Sequence, residues 1–144
     1  MPPFSISTVS EVPQAELVDL YESVGWSAYT RQPEVLTQAV RNSSFVVAAR
    51  DDGGELVGLA RAISDDSTIC YVQDVLVRPS RQGTGIGRAM LASITAKYGH
   101  VRQTVLITDD EPAQRAFYQA LGFTEGRDFR PEPVRVFARF HQPG

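Results

Sequence analysis

Three glycines in alternate positions, Gly83, Gly85 and Gly87, stand between a run of β-formers and a helix-forming segment, and this spacing suits a phosphate. Val75, Leu76 and Val77 favour an extended backbone, and Pro79 cannot donate a ladder hydrogen bond, so a strand ends there. Glycines have no Cβ and let the backbone turn tightly and approach a ligand. The helix that follows opens with N–H groups that have no intrahelical partner, at the positive end of its dipole, and both features favour an anion. Arg78, Arg81 and Arg88 add local positive charge to a chain whose net charge is −3. A dinucleotide fingerprint would need a glycine at position 88, which is Arg, and an ATP-type loop would need Gly-Lys-Ser/Thr, which is absent. What fits is Gln-x-x-Gly-x-Gly, from Gln82 to Gly87, directly after Val77-Arg78-Pro79.

A second constellation is Ala116-Phe117-Tyr118-Gln119-Ala120-Leu121-Gly122-Phe123. Asp110 or Glu111 can cap this helix, and Pro112 falls in its first turn, where a missing N–H costs little. Ala113, Phe117 and Leu121 share one apolar face, and Gly122 sits where a left-handed cap is expected. Tyr118 lies about 100° around the helix from Phe117 and is expected to point to the edge of a cleft.

Together the two motifs resemble the signatures of the GNAT superfamily of N-acetyltransferases, the first its acyl-CoA pyrophosphate loop and the second its Tyr-bearing helix. The resemblance covers nearly the whole chain, although the N-terminal third carries no specific motif. It implies that acetyl-CoA is the acyl donor, held by Val75, Leu76, Val77, Gln82, Gly83, Thr84, Gly85, Ile86, Gly87 and Arg88. It also implies that the strands over 68–78 and 103–108 run side by side and then splay, freeing backbone groups of Val75 and Val77 for the amide-bearing arm of CoA, as an added strand would use them. An amine then attacks the thioester directly, and Tyr118 is the general acid for the leaving thiolate. A phenol with a pKa near ~10 is protonated at neutral pH and can fill that role. Two positions depart from the family pattern: Glu111 and Gln114 replace an Asn and an Ala that members often carry before the Tyr.

The attacking amine must lose a proton. Asp74 is the one carboxylate within the central strand and is a candidate base. Strand alternation puts it opposite Gln73 and Val75, where it can instead hydrogen-bond on the far face, and Tyr71, Gln73 or water are alternative acceptors. Trp26 and Tyr29, in an aromatic loop, are candidates for the amine site, with a core plug as the other reading of Trp26. Asp65, Asp66, Asp109, Asp110 and Glu111 lie at turns and read first as solvated.

The elements that must position these groups follow from the apolar pattern. Phe4 to Val9 alternates as a strand. Pro13 opens a helix with Leu17, Leu20, Tyr21 and Val24 inward, and Pro33 opens another with Leu36, Ala39 and Val40 inward. Segments 44–50 and 55–64 form a hairpin about Asp51-Asp52-Gly53-Gly54. A long strand over 68–78, a helix carrying Ile86, Met90, Ile94 and Tyr98, a strand over 103–108, the Tyr118 helix and a last strand over 134–140 complete the chain. The pattern predicts an α+β fold: a mixed, mostly antiparallel central sheet with helices on both faces.

At 144 residues the chain is expected to form a single domain spanning 1–144. Its mild acidity argues against nucleic-acid binding, and no apolar run approaches the roughly 20 residues that span a bilayer. Met1-Pro2-Pro3-Phe4 does not read as a secretory leader, and the single Cys70 excludes an internal disulfide, so a cytoplasmic protein is expected. His100 and His141 belong to no ligand-spaced cluster, so no metal is expected. The partner is a small-molecule or peptide amine, and a homodimer is left open. The alternative is a non-catalytic acyl-CoA-binding or regulatory module, for which Glu111 and Gln114 leave room.

Overall fold

The computed structural model of the chain describes residues 3–141; Met1 and Pro2, on which the leader reading partly rested, lie outside them. The chain divides into two compact units, one ending at Leu106 and one starting at Ile107. The first holds β1 (Phe4–Thr8), α1 (Gln14–Ser23), α2 (Ser27–Thr30), α3 (Pro33–Arg41), β2 (Phe45–Asp51), β3 (Leu56–Ser64), β4 (Ile69–Val77), α4 (Ile86–Lys97) and β5 (Gln103–Leu106). The five strands form one sheet in the order β1-β2-β3-β4-β5, antiparallel except for the parallel β4–β5 pair. The sheet carries α1 and α3 on one face and α4 on the other, the α+β arrangement that the apolar pattern predicts.

The face under α1 and α3 is closed by Leu17, Leu20, Tyr21, Leu36 and Val40 against Val46, Ala48, Leu59 and Leu76. Such side chains contribute about 1.5–3 kcal/mol each when fully buried. Pro33 at the first turn of α3 and Gly25, at φ +78°, after α1 bracket these helices as their sequence suggests. On the opposite face α4 buries Ile86, Met90, Leu91 and Ile94. It comes close because position 58 is glycine: a Cβ there would lie 3.0 Å from Ile86 Cγ2 and 3.1 Å from Met90 Cε. At the β2–β3 turn Asp51 accepts from Gly53 N–H (3.0 Å) and Glu55 N–H (2.9 Å), the self-closing turn its sequence suggests.

The second unit holds α5 (Pro112–Ala120) and a single turn at Gly126–Asp128. Arg115 ties these together, pairing with Glu125 and with Asp128 (2.7 Å). Two expectations fail locally. The aromatic loop contains a short helix, α2. Residues 134–140 form no strand despite their β-branched and aromatic composition, because a strand exists only in a ladder and this segment has no ladder partner among the described residues.

Candidate functional site

The glycine loop is a strand-to-helix connection with two left-handed residues, Gly83 (φ +78°) and Gly85 (φ +92°). A Cβ at either would touch nothing within 4 Å, so glycine is demanded by backbone conformation and not by space. Gly85 is the N-cap residue of the 12-residue α4, and no side chain caps that end. Its first N–H groups are therefore available to an anion. Thr84 Oγ1 donates to Arg81 O (2.6 Å) and braces the turn. The arginines divide differently from their sequence reading. Arg78 is committed to Asp19 (2.9 Å) and to Leu56 O (2.9 Å), and Arg81 faces Asp51 at 3.6 Å. Arg88 is exposed on the first turn of α4.

The β4–β5 ladder runs from Ile69↔Gln103 to Val72↔Leu106 and stops, while β4 continues to Val77. Arg78 N–H bonds to Val57 O (2.8 Å). By alternation the main-chain groups of Val75 and Val77 then face the edge left open by β5. Gln82 Nε2 donates to Val77 O at 3.1 Å, so this carbonyl already has a partner and Val75 offers the freer groups. The Leu76 side chain is buried in the core under α1, so Leu76 can contribute to a ligand only through its backbone.

A β-bulge sits at the point where the ladder ends. Arg61 pairs with Asp74 and Ala62 with Val72, so Gln73 has no opposite number. The extra residue breaks the alternation that would set Asp74 opposite Gln73. Both side chains instead reach one atom, the Tyr29 hydroxyl, which accepts from Gln73 Nε2 (3.0 Å) and donates to Asp74 Oδ1 (2.9 Å). Tyr21 Oη donates to Asp74 Oδ2 (2.9 Å), as does Arg61 Nε (2.6 Å). Asp74 and Arg61 are 3% and 6% exposed, so this is a buried ion pair. Burial alone would lower the pKa of Arg61, but the Asp74 carboxylate holds it above the ordinary value. Burial, and then the charge of Asp74, push the Tyr21 phenol well above its ordinary value and raise Tyr29 in the same way. The sequence reading missed Arg61; its signal was a lone cation inside the apolar strand Leu56–Ser64.

Trp26 packs partly buried against the core under α1, with its ring 5.8 Å from Tyr21 and 6.3 Å from Tyr29. Asp65 accepts from the Thr68 hydroxyl (2.6 Å) and the N–H groups of Thr68, Ile69 and Ser67, which hold its carboxyl well below the carboxylate range. Asp66 pairs with His100 (2.9 Å). Asp65 is therefore engaged in closing its own turn, and Asp66 in a contact with the segment after α4.

In the second unit Tyr118 lies in the last turn of α5, half-buried, with its ring 5.0 Å from Phe117 and 5.9 Å from Phe123. Burial raises its pKa, which keeps the phenol protonated at neutral pH. Gly122 (φ +92°) ends the helix, and Phe123 N–H returns to Tyr118 O (3.0 Å), the left-handed cap expected from the sequence. Glu111 takes the N-cap position without a side-chain cap bond.

Among the described residues no cluster of three or more His, Cys, Asp or Glu side chains is placed to hold a metal ion, and no helix is long and apolar enough to cross a membrane. The loop and the open β4 edge together suit a ligand with a phosphate end and an amide-bearing arm.

Comparison with known proteins agrees. The model of the acetyltransferase (GNAT) domain matches residues 41–125. An uncharacterized N-acetyltransferase, ycf52, of Pyropia yezoensis is 31% identical over 116 residues, covering 78% of this chain and 66% of that protein, so the chain falls just short of two thirds of that relative's length. A GNAT-family acetyltransferase of Streptococcus pneumoniae, SP0256, superposes with a TM-score of 0.79 at 28% identity, covering 96% of this chain and all of the other. The aminoglycoside N-acetyltransferase AAC(6')-Iy, solved with CoA, shares the fold at a TM-score of 0.71 and 17% identity, covering 99% and 97% of the two chains. The chain belongs to the GNAT family of acetyltransferases.

Proposed function

We propose that the chain, as one catalytic domain, moves an acetyl group from acetyl-CoA to a primary amine of a small molecule or peptide. The observation that carries this reading is the uncapped N-terminus of α4 behind two left-handed glycines, next to a β4 edge whose ladder to β5 has ended. Gln82 to Arg88 hold the pyrophosphate through main-chain N–H groups, with Arg88 supplying charge. Val75 takes the amide arm through its backbone. The amine nitrogen attacks the thioester carbonyl carbon, the C–S bond breaks, and CoA leaves as a thiolate that takes the Tyr118 proton.

The buried ion pair weighs on the role of Asp74. Its carboxylate is buried and already committed to Arg61 Nε (2.6 Å) and to the hydroxyls of Tyr21 and Tyr29. Asp74 is therefore assigned as the residue that fixes Tyr29 and Gln73, and the proton of the attacking amine passes to water at the exposed Gln73 end of the cluster. Trp26 and Tyr29 line the amine side in this reading. The compartment is a reducing one, the cytoplasm, in keeping with the free thiol of buried Cys70.

Incubation with acetyl-CoA and a panel of amines, read as thiol release, tests the proposal. Amine-dependent release supports it. CoA binding with no release on a broad panel supports the second reading, a regulatory acyl-CoA module, for which Glu111 and Gln114 leave room and against which the intact Tyr118 argues.

A further inference from the structure

Gln73 is skipped by the register that pairs β4 with β3, and it lies one step past Val72, where the β4–β5 ladder ends. Its side chain is exposed, while those of its neighbours Val72 and Asp74 are buried. It nevertheless has a fixed contact: Gln73 Nε2 donates to the Tyr29 hydroxyl at 3.0 Å. An amide has donors at one end and an acceptor at the other, so the end that meets Tyr29 decides what the other end can bind.

The buried groups behind Tyr29 settle that choice. Arg61 can only donate; its Nε bonds to Asp74 Oδ2 (2.6 Å), and its Nη2 lies 3.4 Å from the Tyr29 oxygen. The Asp74 carboxylate accepts, so Tyr29 gives its single hydroxyl proton to Asp74 Oδ1 (2.9 Å). Burial, and then the charge of Asp74, raise the Tyr29 phenol, so this proton is in place at neutral pH. The Tyr29 oxygen is then an acceptor only, towards Gln73 as towards Arg61. Turning the Gln73 amide round would set two acceptors against each other and lose the hydrogen bond. The order Arg61, Asp74, Tyr29, Gln73 therefore keeps Oε1 as the end of the amide turned away from Tyr29.

The glycine loop follows the C-terminal end of β4. An arm running back from it past Val77 and Val75, at about 3.3 Å per residue, brings its reactive end to Gln73. We infer, resting on the acetyl transfer proposed above, that Gln73 selects primary amines: its Oε1 accepts from the attacking nitrogen the one N–H that the product amide keeps. A neutral primary amine has two N–H groups. One stays on Oε1 while the nitrogen lone pair forms the bond to the thioester carbon, and the other proton passes to water. A secondary amine has a single N–H, which it must lose, so it cannot hold this contact to the end of the reaction. Tyr29 is a positioning residue that acts through Gln73, and Asp74 and Arg61 act through Tyr29.

Steady-state thiol release with the best primary amine of the panel, and with its N-methyl derivative, tests the inference. The wild type should favour the primary amine in kcat/KM by about tenfold or more, the worth of one hydrogen bond that strengthens as the nitrogen gains charge. Gln73→Met keeps the length of an exposed side chain and removes the amide. It should lower kcat/KM for the primary amine by about tenfold, while the N-methyl amine and the KM for acetyl-CoA stay within about twofold. Tyr29→Phe should shift the ratio between the two amines in the same direction, and the double variant should shift it no further than Gln73→Met alone. A purely structural role would lower both amines together. A wild type that turns over both amines equally, a Gln73→Met variant with the wild-type ratio, or additive losses in the double variant would each overturn the inference and leave acetyl transfer standing. A wild type with no amine-dependent release would overturn both.

Discussion

Tyr118, half-buried, and Asp74, buried, are given opposite tasks by their surroundings. Tyr118 has ring neighbours, Phe117 and Phe123, and a pKa raised by burial, so it stays protonated and ready to donate. Tyr118→Phe keeps the ring and removes the proton. We expect kcat to fall by about 10²–10⁴-fold with the KM for acetyl-CoA little changed, because the lost contact belongs to the transition state. Steady-state kinetics check this, and the alkaline limb of the wild-type rate profile should lie above about pH 10, where a raised phenol begins to lose its proton. Asp74, by contrast, is held by Arg61, Tyr21 and Tyr29. Asp74→Asn leaves the Arg61 cation buried without its counter-ion and should cost about 3–5 kcal/mol of stability. Urea unfolding measures that loss. If the variant kept its stability and lost only kcat, Asp74 would be the base and not the group that positions Tyr29.

At the scale of elements, the loop was legible because its demands are local. Gly83 and Gly85 adopt the left-handed conformation that their type permits, and the β-formers before them and the apolar repeat after them are strand β4 and helix α4. Gly85→Asp should abolish CoA binding by titration calorimetry while the circular dichroism persists, since a carboxylate would stand at the anion site on a backbone already strained for any side chain. Gly85→Ala carries the same strain, roughly 1–2 kcal/mol, without the charge, and should keep weakened binding. The bulge at Gln73 was not legible, because it arises from the pairing of β3 with β4, and sequence alternation alone sends Asp74 and Gln73 to opposite faces. The Arg61–Asp74 pair was hidden for the same reason: each charge stands alone in its own apolar strand, 13 residues apart, and only the register brings them together. The expected last strand failed from the opposite side, since the β-propensity of 134–140 is real but propensity supplies no partner.

For the whole molecule, all five tyrosines have pKa values raised by burial: Tyr21, Tyr29, Tyr71, Tyr98 and Tyr118. A raised phenol retains its proton in the fold after the unfolded chain has released it. The stability this represents is fully present below the unfolded value of about 10 and is lost as pH rises from there through the folded values. Thermal unfolding should therefore show Tm falling as pH rises above about 10, and Tyr21→Phe, which removes the most strongly shifted phenol, should make that fall shallower. The central claim is transfer of an acetyl group from acetyl-CoA to an amine. The most direct measurement is mass spectrometry of amines from a lysate incubated with the protein and isotopically labelled acetyl-CoA, run beside Gly85→Asp and Tyr118→Phe. The account predicts labelled acetyl groups on nitrogen of one or a few amines with the wild type, at least tenfold less with Tyr118→Phe, and none above background with Gly85→Asp. Labelled product formed equally by all three, or by none of them while the wild type binds acetyl-CoA, would contradict it.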